Sequence, residues 1–193
     1  MNDKINKILE LATLLNHQVD WNEMIRLITT KTQELTDCSL VKILIFNPIT
    51  QSTLRTVSEI EKNFSSSCLK MVTINVSGWL LQNKKTFISN NLPQDERFAK
   101  MLLQNCSTHS AIGTLLVSNN QAFGMMLLLN KNSAAGFTEE DIKISESLTD
   151  VVSPFIYKIE KINEFFNKNL TENELLNKYS KIGLIGKSNV FID

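Results

Sequence analysis

Two short apolar runs joined by a polar turn constrain this chain more than any other feature. Residues 110–117 read SAIGTLLV, residues 118–121 read SNNQ, and residues 122–131 read AFGMMLLLNK. Runs of this length and apolarity fit strands buried on one face or both. Each run carries one glycine, Gly113 or Gly124, and glycine inside a strand marks a bulge or a close backbone approach. A short polar loop closes on Phe137, and Thr138-Glu139-Glu140-Asp141 opens a long helical pattern. Two strands with a helix laid across their sheet make a half-domain that can bury a core.

The rest of the chain supplies the other half. Ile5, Ile8, Ala12 and Leu15 recur at helical spacing over residues 3–16. Asp20 begins a second helix with Glu23 three residues on, a capping-box spacing, and Met24, Ile28 and Leu35 mark its buried stripe. Residues 39–46, SLVKILIF, read as a strand with residues 51–58 as its hairpin partner. Residues 71–76 read as a further short strand, Ser77 as the cap of a brief helix through Trp79, Leu80 and Leu81, and residues 86–89 as another strand. Thr138 is the expected N-cap of the long helix, with three acidic residues at the positive end of its dipole. Leu148, Val152, Phe155, Ile159, Ile162 and Phe166 then alternate spacings of four and three, a heptad-like seam that Pro154 is expected to bend. The seam predicts a homodimer through the terminal helices.

Charge excludes two classes of partner. Lys+Arg and Asp+Glu both count 20, so there is no basic footprint for nucleic acid and no polybasic membrane patch. No apolar run approaches the ~18 residues of a membrane span. The N-terminus, MNDKINKILEL, intersperses charges through a helix and does not read as a signal peptide. Cys38, Cys68 and Cys106 are odd in number and form no CxxC pair. Reduced thiols and a cytoplasmic location are the expectation.

The order of these segments resembles the GAF domain family over roughly residues 5–165: the DWNEMI entry helix, the ISNNLPQDERF segment, the paired strands ending FGMMLLLNK, then FTEEDI and a long striped helix. The resemblance implies an α/β (α+β) fold, a GAF/PAS-like antiparallel sheet with helices packed on one face, long N- and C-terminal helices, and a small-molecule cavity on the other face. It makes residues 1–166 a sensory domain. Asp95, Arg97 and Phe98 match a segment that forms one wall of the family's ligand pocket, His109 is expected on the polar rim of that pocket, and Trp79 stands near the pocket mouth or over an edge of the core. Asn130, Lys131, Phe137 and Asp141 match a motif of some cyclic-nucleotide-binding members, with Ile142 where those have Glu. In the family this motif maintains the fold through a Lys–Asp ion pair.

Catalysis finds little support. The histidines are His17 and His109, and no third group that would orient a nucleophile and its base is readable. His109-Ser110-Ala111-Ile112-Gly113 resembles the iron-ligating strand of nitric-oxide-sensing GAF regulators, but Ala111 stands where those have Cys. No metal is therefore expected, with His109, Cys106 and Asp95 as the weak candidates; the cofactor is unknown. Cys106 is followed by Ser107, which argues against a bilin.

Residues 167–193 read as a linker and the start of another domain. KYSKIGLIGKSNVFID resembles the opening of the AAA+ domain of sigma-54-dependent transcriptional activators through Gly186, Lys187 and Ser188. It is not itself a phosphate loop, because Lys181 stands where the Walker pattern needs Gly. The resemblance implies a non-enzymatic input domain that responds to an unknown small molecule or regulatory protein, controls an ATPase outside this chain, and does not contact nucleic acid directly. Two alternatives stay open: a dimerisation or protein-interaction module without a ligand, and the input domain of a histidine kinase or phosphatase.

Overall fold

The computed structural model describes residues 2–18, 20–46, 53–58, 66–98 and 107–167. Met1–Ile159 form one compact unit and Glu160–Asp193 a second. The elements run α1 (Asn2–Asn16), α2 (Trp21–Thr36), β1 (Cys38–Phe46), β2 (Thr53–Ser58), α3 (Ser66–Asn83), β3 (Phe87–Ser89), a 3-10 turn (Leu92–Gln94), β4 (Ala111–Ser118), β5 (Gln121–Lys131) and α4 (Glu139–Asn167). Among the described residues the strands form one antiparallel sheet in the order β2-β1-β5-β4-β3. The expected α+β architecture, an antiparallel sheet with packed helices, is present.

Strand alternation divides the core in two. Val41, Ile43, Ile45, Ile112, Leu116, Met126 and Leu128 face the apolar stripes of α1, α2 and α4. Leu40, Leu44, Met125, Leu127 and Leu129 face the other way, against Leu69, Val72, Val76 and Leu80 of α3. Both faces of the central strands are therefore covered, which is why β1, β4 and β5 read as nearly continuous apolar runs.

The two strand glycines do what their positions require. A Cβ on Gly124 would stand 2.3 Å from the Leu44 carbonyl oxygen of β1, and the β4–β5 register slips between Leu116 and Val117, opposite this residue. A Cβ on Gly113 would stand 2.8 Å from Val76 Cγ1, so Gly113 lets α3 approach the sheet.

Caps fix where the helices start. Asp20 Oδ1 accepts from the Glu23 amide at 2.8 Å, while the Glu23 carboxylate turns to Arg26. At α4 the Thr138 amide donates to Asp141 Oδ2 at 2.9 Å and the Asp141 amide donates to Thr138 Oγ1 at 3.3 Å, a reciprocal box with Asp in the usual Glu place. Asp37, in the left-handed region at φ 48°, ends α2.

Three expectations change. Residues 71–76 are not a strand but the middle of α3, and Ser77 lies inside that helix, not at its start. The Met71–Val76 stretch is β-branched and apolar, and α3 carries apolar side chains round most of its circumference, so the 3.6-residue rhythm is faint. Cys68 is disulfide-bonded, contrary to an all-thiol state; spacing along a chain does not report proximity in the fold. The stripe of α4 up to Ile159 has its partner within the chain, since Leu148, Val152, Ile156 and Ile159 are buried in the core shared with α1 and α2. The helix is continuous across the exposed Pro154. Cys106, the Asn47-Pro48 turn, the side chains of Ile162 and Phe166, and the 168–193 tail with Gly186, Lys187 and Ser188 lie outside the described residues. Among the described residues no helix is long and apolar enough to cross a membrane.

Candidate functional site

The two sheet faces differ in how they are closed. One lies under three helices, α1, α2 and α4, whereas α3 and the segment around residues 92–98 cover the other among the described residues. Most of the residues singled out from the sequence belong to that second side.

Trp79, Asp95, Arg97 and Phe98 come together at the β3 edge. Trp79 and Phe87 stack edge to face at 5.4 Å, and Phe87 meets Phe98 at 5.5 Å. The Arg97 guanidinium lies 4.2 Å from the Phe87 ring centroid and 5.4 Å from that of Trp79. Asp95 holds it in a fork, Nε to Oδ1 at 2.8 Å and Nη2 to Oδ2 at 2.6 Å, and Nη2 also donates to the Ile88 carbonyl at 2.5 Å. Burial raises the affinity of the Asp95 carboxyl for a proton, but hydrogen bonds from Arg97 and Ser89 outweigh it and leave the group below the usual carboxylate range. The cluster is thus a clasp that ties the 92–98 segment over the end of β3, with the planar Arg97 guanidinium laid over the Phe87 and Trp79 rings.

His109 stands apart in chemistry. Its side chain is exposed. Its backbone does the work: the amide donates to Asn130 Oδ1 at 2.8 Å and the carbonyl accepts from Leu92 at 2.8 Å. Asn130, in the left-handed region at φ 53°, also donates from Nδ2 to the Ser107 carbonyl at 3.1 Å. Asn130 therefore clamps the chain entering β4. Among the described residues no group of three or more His, Cys, Asp or Glu is placed to hold a metal ion. The His17 side chain is exposed as well.

Lys131, Phe137 and Asp141 meet at the C-terminal end of β5. Lys131 Nζ donates to Asp141 Oδ1 at 2.9 Å and to the Thr36 carbonyl at 2.6 Å, 5.9 Å from the Phe137 ring centroid. Burial pushes the Asp141 carboxyl up, yet the Thr138 amide, Lys131 and the Thr138 hydroxyl together hold it below its usual range. The trio joins α2, β5 and α4 and presents no free edge to a ligand.

Three residues carry roles the sequence did not single out. Asn90 makes two hydrogen bonds to the Phe137 backbone, Nδ2 to the carbonyl at 2.9 Å and Oδ1 from the amide at 2.8 Å, so it acts as a surrogate strand partner. Lys42 is 5% exposed and lies in β1 between Leu40 and Leu44, on the α3 side of the sheet. Thr73 of α3 is 8% exposed, and its hydroxyl makes no hydrogen bond among the described residues. A signal existed for Lys42: it is the one charge inside the run SLVKILIF, and charges inside strands buried on both faces are expensive. None existed for Thr73, which lay in a stretch read as a strand.

A family model described as GAF domain matches residues 18–156. No curated protein matches the chain. Solved structures that resemble it include the GAF domain of an Acinetobacter phosphoenolpyruvate-protein phosphotransferase, at 13% identity and TM-score 0.61, covering 84% of this chain and 97% of that one. A GAF domain/HD domain protein from Geobacter sulfurreducens resembles it at 11% identity and TM-score 0.55, covering 76% and 97%. Free methionine-R-sulfoxide reductase from Neisseria meningitidis, in complex with its substrate, does so at 11% identity and TM-score 0.59, covering 82% and 91%. At these identities the likeness is one of fold.

Proposed function

The chain belongs to the GAF domain family of sensory and regulatory modules, and from that premise we propose that it is the small-molecule-sensing input domain of a sigma-54-dependent transcriptional activator, located in the cytoplasm. The observation that carries the sensing half is polar burial on one side of the sheet. Two polar residues are buried on elements that build this side, Lys42 of β1 and Thr73 of α3, whose hydroxyl makes no hydrogen bond among the described residues. A layer built only to pack would be more stable with apolar residues of the same volume at both positions. The activator half rests on the tail, where Gly186-Lys187-Ser188 stands as it does at the opening of the AAA+ domain. In this reading an occupant of the α3 layer shifts the population between two arrangements of α4, whose helix crosses Pro154.

A second role, self-association, has its own observation. Ile5 and Leu9 of α1 are 48% and 59% exposed. Beside them a groove of about 250 Å³ runs between α1 and the start of α4, lined by Ile5, Ile8 and Ile144 and rimmed by Lys4, Glu139, Glu140 and Lys143. An apolar stripe with a mixed-charge rim fits a homodimer through the terminal helices.

Hydrogen exchange on the whole chain, with and without the small-molecule fraction of the cells that make it, tests the sensing reading. Slower exchange in α3 and β1 accompanied by altered exchange of α4 on both sides of Pro154 is the expected result. Exchange unaltered everywhere, or altered in α3 with α4 unmoved, contradicts it.

A further inference from the structure

We propose that β3 is a relay between the Asp95–Arg97 clasp and α4, attached to the helix through Thr86 and Asn90, an inference that rests on the sensory reading above for what would move the clasp. β3 runs only from Phe87 to Ser89, stands at the edge of the sheet and pairs, among the described residues, with β4 alone. Its side chains alternate between two surroundings. Phe87 belongs to the core on the α3 side and lies against Trp79, Phe98 and Arg97. Ile88 packs on the core shared with α1, α2 and α4. The strand is drawn into the clasp by polar contacts as well: the Ile88 carbonyl accepts from Arg97, and the Ser89 hydroxyl bonds the Asp95 carboxylate.

Both ends of the strand are tied to α4. Thr86, just before β3, donates from Oγ1 to Glu146 Oε1 at 2.5 Å. Asn90, just after it, gives and takes a hydrogen bond with the Phe137 backbone, immediately ahead of α4. Gly136 leaves the room for this contact: it sits in the left-handed region at φ 77°, and a Cβ on it would stand 2.6 Å from Asn90 Cγ. The order of the two ties is reversed, so α4 runs back along β3. Their spacing also matches, since Thr86 to Asn90 spans about 13 Å of extended chain and Phe137 to Glu146 about 14 Å of mostly helical chain. A strand held at two points of equal spacing cannot slide without carrying the helix. Phe137 is itself buried at 3% exposure, and the next residue, Thr138, closes the reciprocal cap with Asp141, which in turn holds Lys131. A displacement passed through Asn90 therefore acts on the contacts that fix where α4 begins.

Amide hydrogen exchange of the full chain tests the relay with no ligand present, on wild type, Arg97→Met, Thr86→Val/Asn90→Ala and the variant carrying all three substitutions. Arg97→Met opens the clasp, and the other pair cuts the ties to α4. With the ties intact, Arg97→Met is expected to speed exchange in the first two turns of α4 about fivefold, the equivalent of one lost hydrogen bond. With the ties cut, the same substitution should leave α4 as it finds it. Residues that serve only to hold the fold together, acting independently, would give effects that add. Equal acceleration of α4 in both backgrounds, or none in either, overturns the relay. Exchange in α2 gauges global stability; should Arg97→Met speed α2 as much as α4, Asp95→Asn, which weakens the clasp at nearly constant volume, carries the same comparison. Either overturning result leaves sensing itself to the exchange experiment with the small-molecule fraction, which reads occupancy and not the route.

Discussion

Lys131 Nζ lies 2.9 Å from Asp141 Oδ1 and 2.6 Å from the Thr36 carbonyl, so one ammonium joins the start of α4 to the end of α2. Both side chains are largely buried, at 11% and 3% exposure. Removing one partner leaves the other as an uncompensated charge. Lys131→Met is expected to cost about 3 kcal/mol. The double variant Lys131→Met/Asp141→Asn should lose less than the sum of the singles in urea unfolding; additive losses would mean the pair is not coupled.

The same aspartate sets an acid limit. An unfolded Asp titrates near about 3.9, and Asp141 titrates lower in the fold. A depressed folded pKa gives stability that is complete above the unfolded value and lost as pH falls through the folded one. The stability advantage of wild type over Asp141→Asn should therefore be constant near neutral pH and shrink below about pH 4. Thermal unfolding from pH 7 to pH 3 measures it, and a difference that grows with acid would refute the assignment.

Glycine substitutions should separate by what a Cβ would meet. At Gly124 it meets backbone, the Leu44 carbonyl oxygen at 2.3 Å. Gly124→Ala should then destabilise by roughly 1–3 kcal/mol. At Gly113 it meets side-chain methyls of Val76 and Leu80, which can shift, so the loss should be smaller. At Gly78, inside α3, it meets nothing within 4 Å, and Gly78→Ala should stabilise by up to about 1 kcal/mol. Chemical denaturation of the three variants gives the order directly.

Much of this fold was legible because its signals are local. The β4–β5 pair announces itself by length, apolarity and one glycine each, and the two caps, Asp20 and Thr138, by residue type. The third helix was not legible, since a helix apolar round most of its surface loses its rhythm and Met71–Val76 then looks like a strand. The site divides the same way. Asp95, Arg97, Phe98 and Trp79 are brought together, but Arg97 directs Nε and Nη2 to Asp95 and Ile88. Thr73 becomes a buried helix position only once α3 is a helix, and no spacing in the chain announces that.

Cys38 should be inert in the native state. Burial pushes its thiol up to about 11 despite hydrogen bonds from its surroundings. The thiolate is the reactive species. Alkylation at pH 8 should therefore modify Cys38 on unfolding and leave it untouched in the folded protein; ready modification of the folded form would show the strand end open.

The central claim is that this domain holds a small molecule. Native mass spectrometry of the whole protein, after equilibration with the small-molecule fraction of its own cells, tests it most directly. The account predicts a dimer with one small non-protein mass per protomer, released on denaturation. A bare protein mass under those conditions would contradict it.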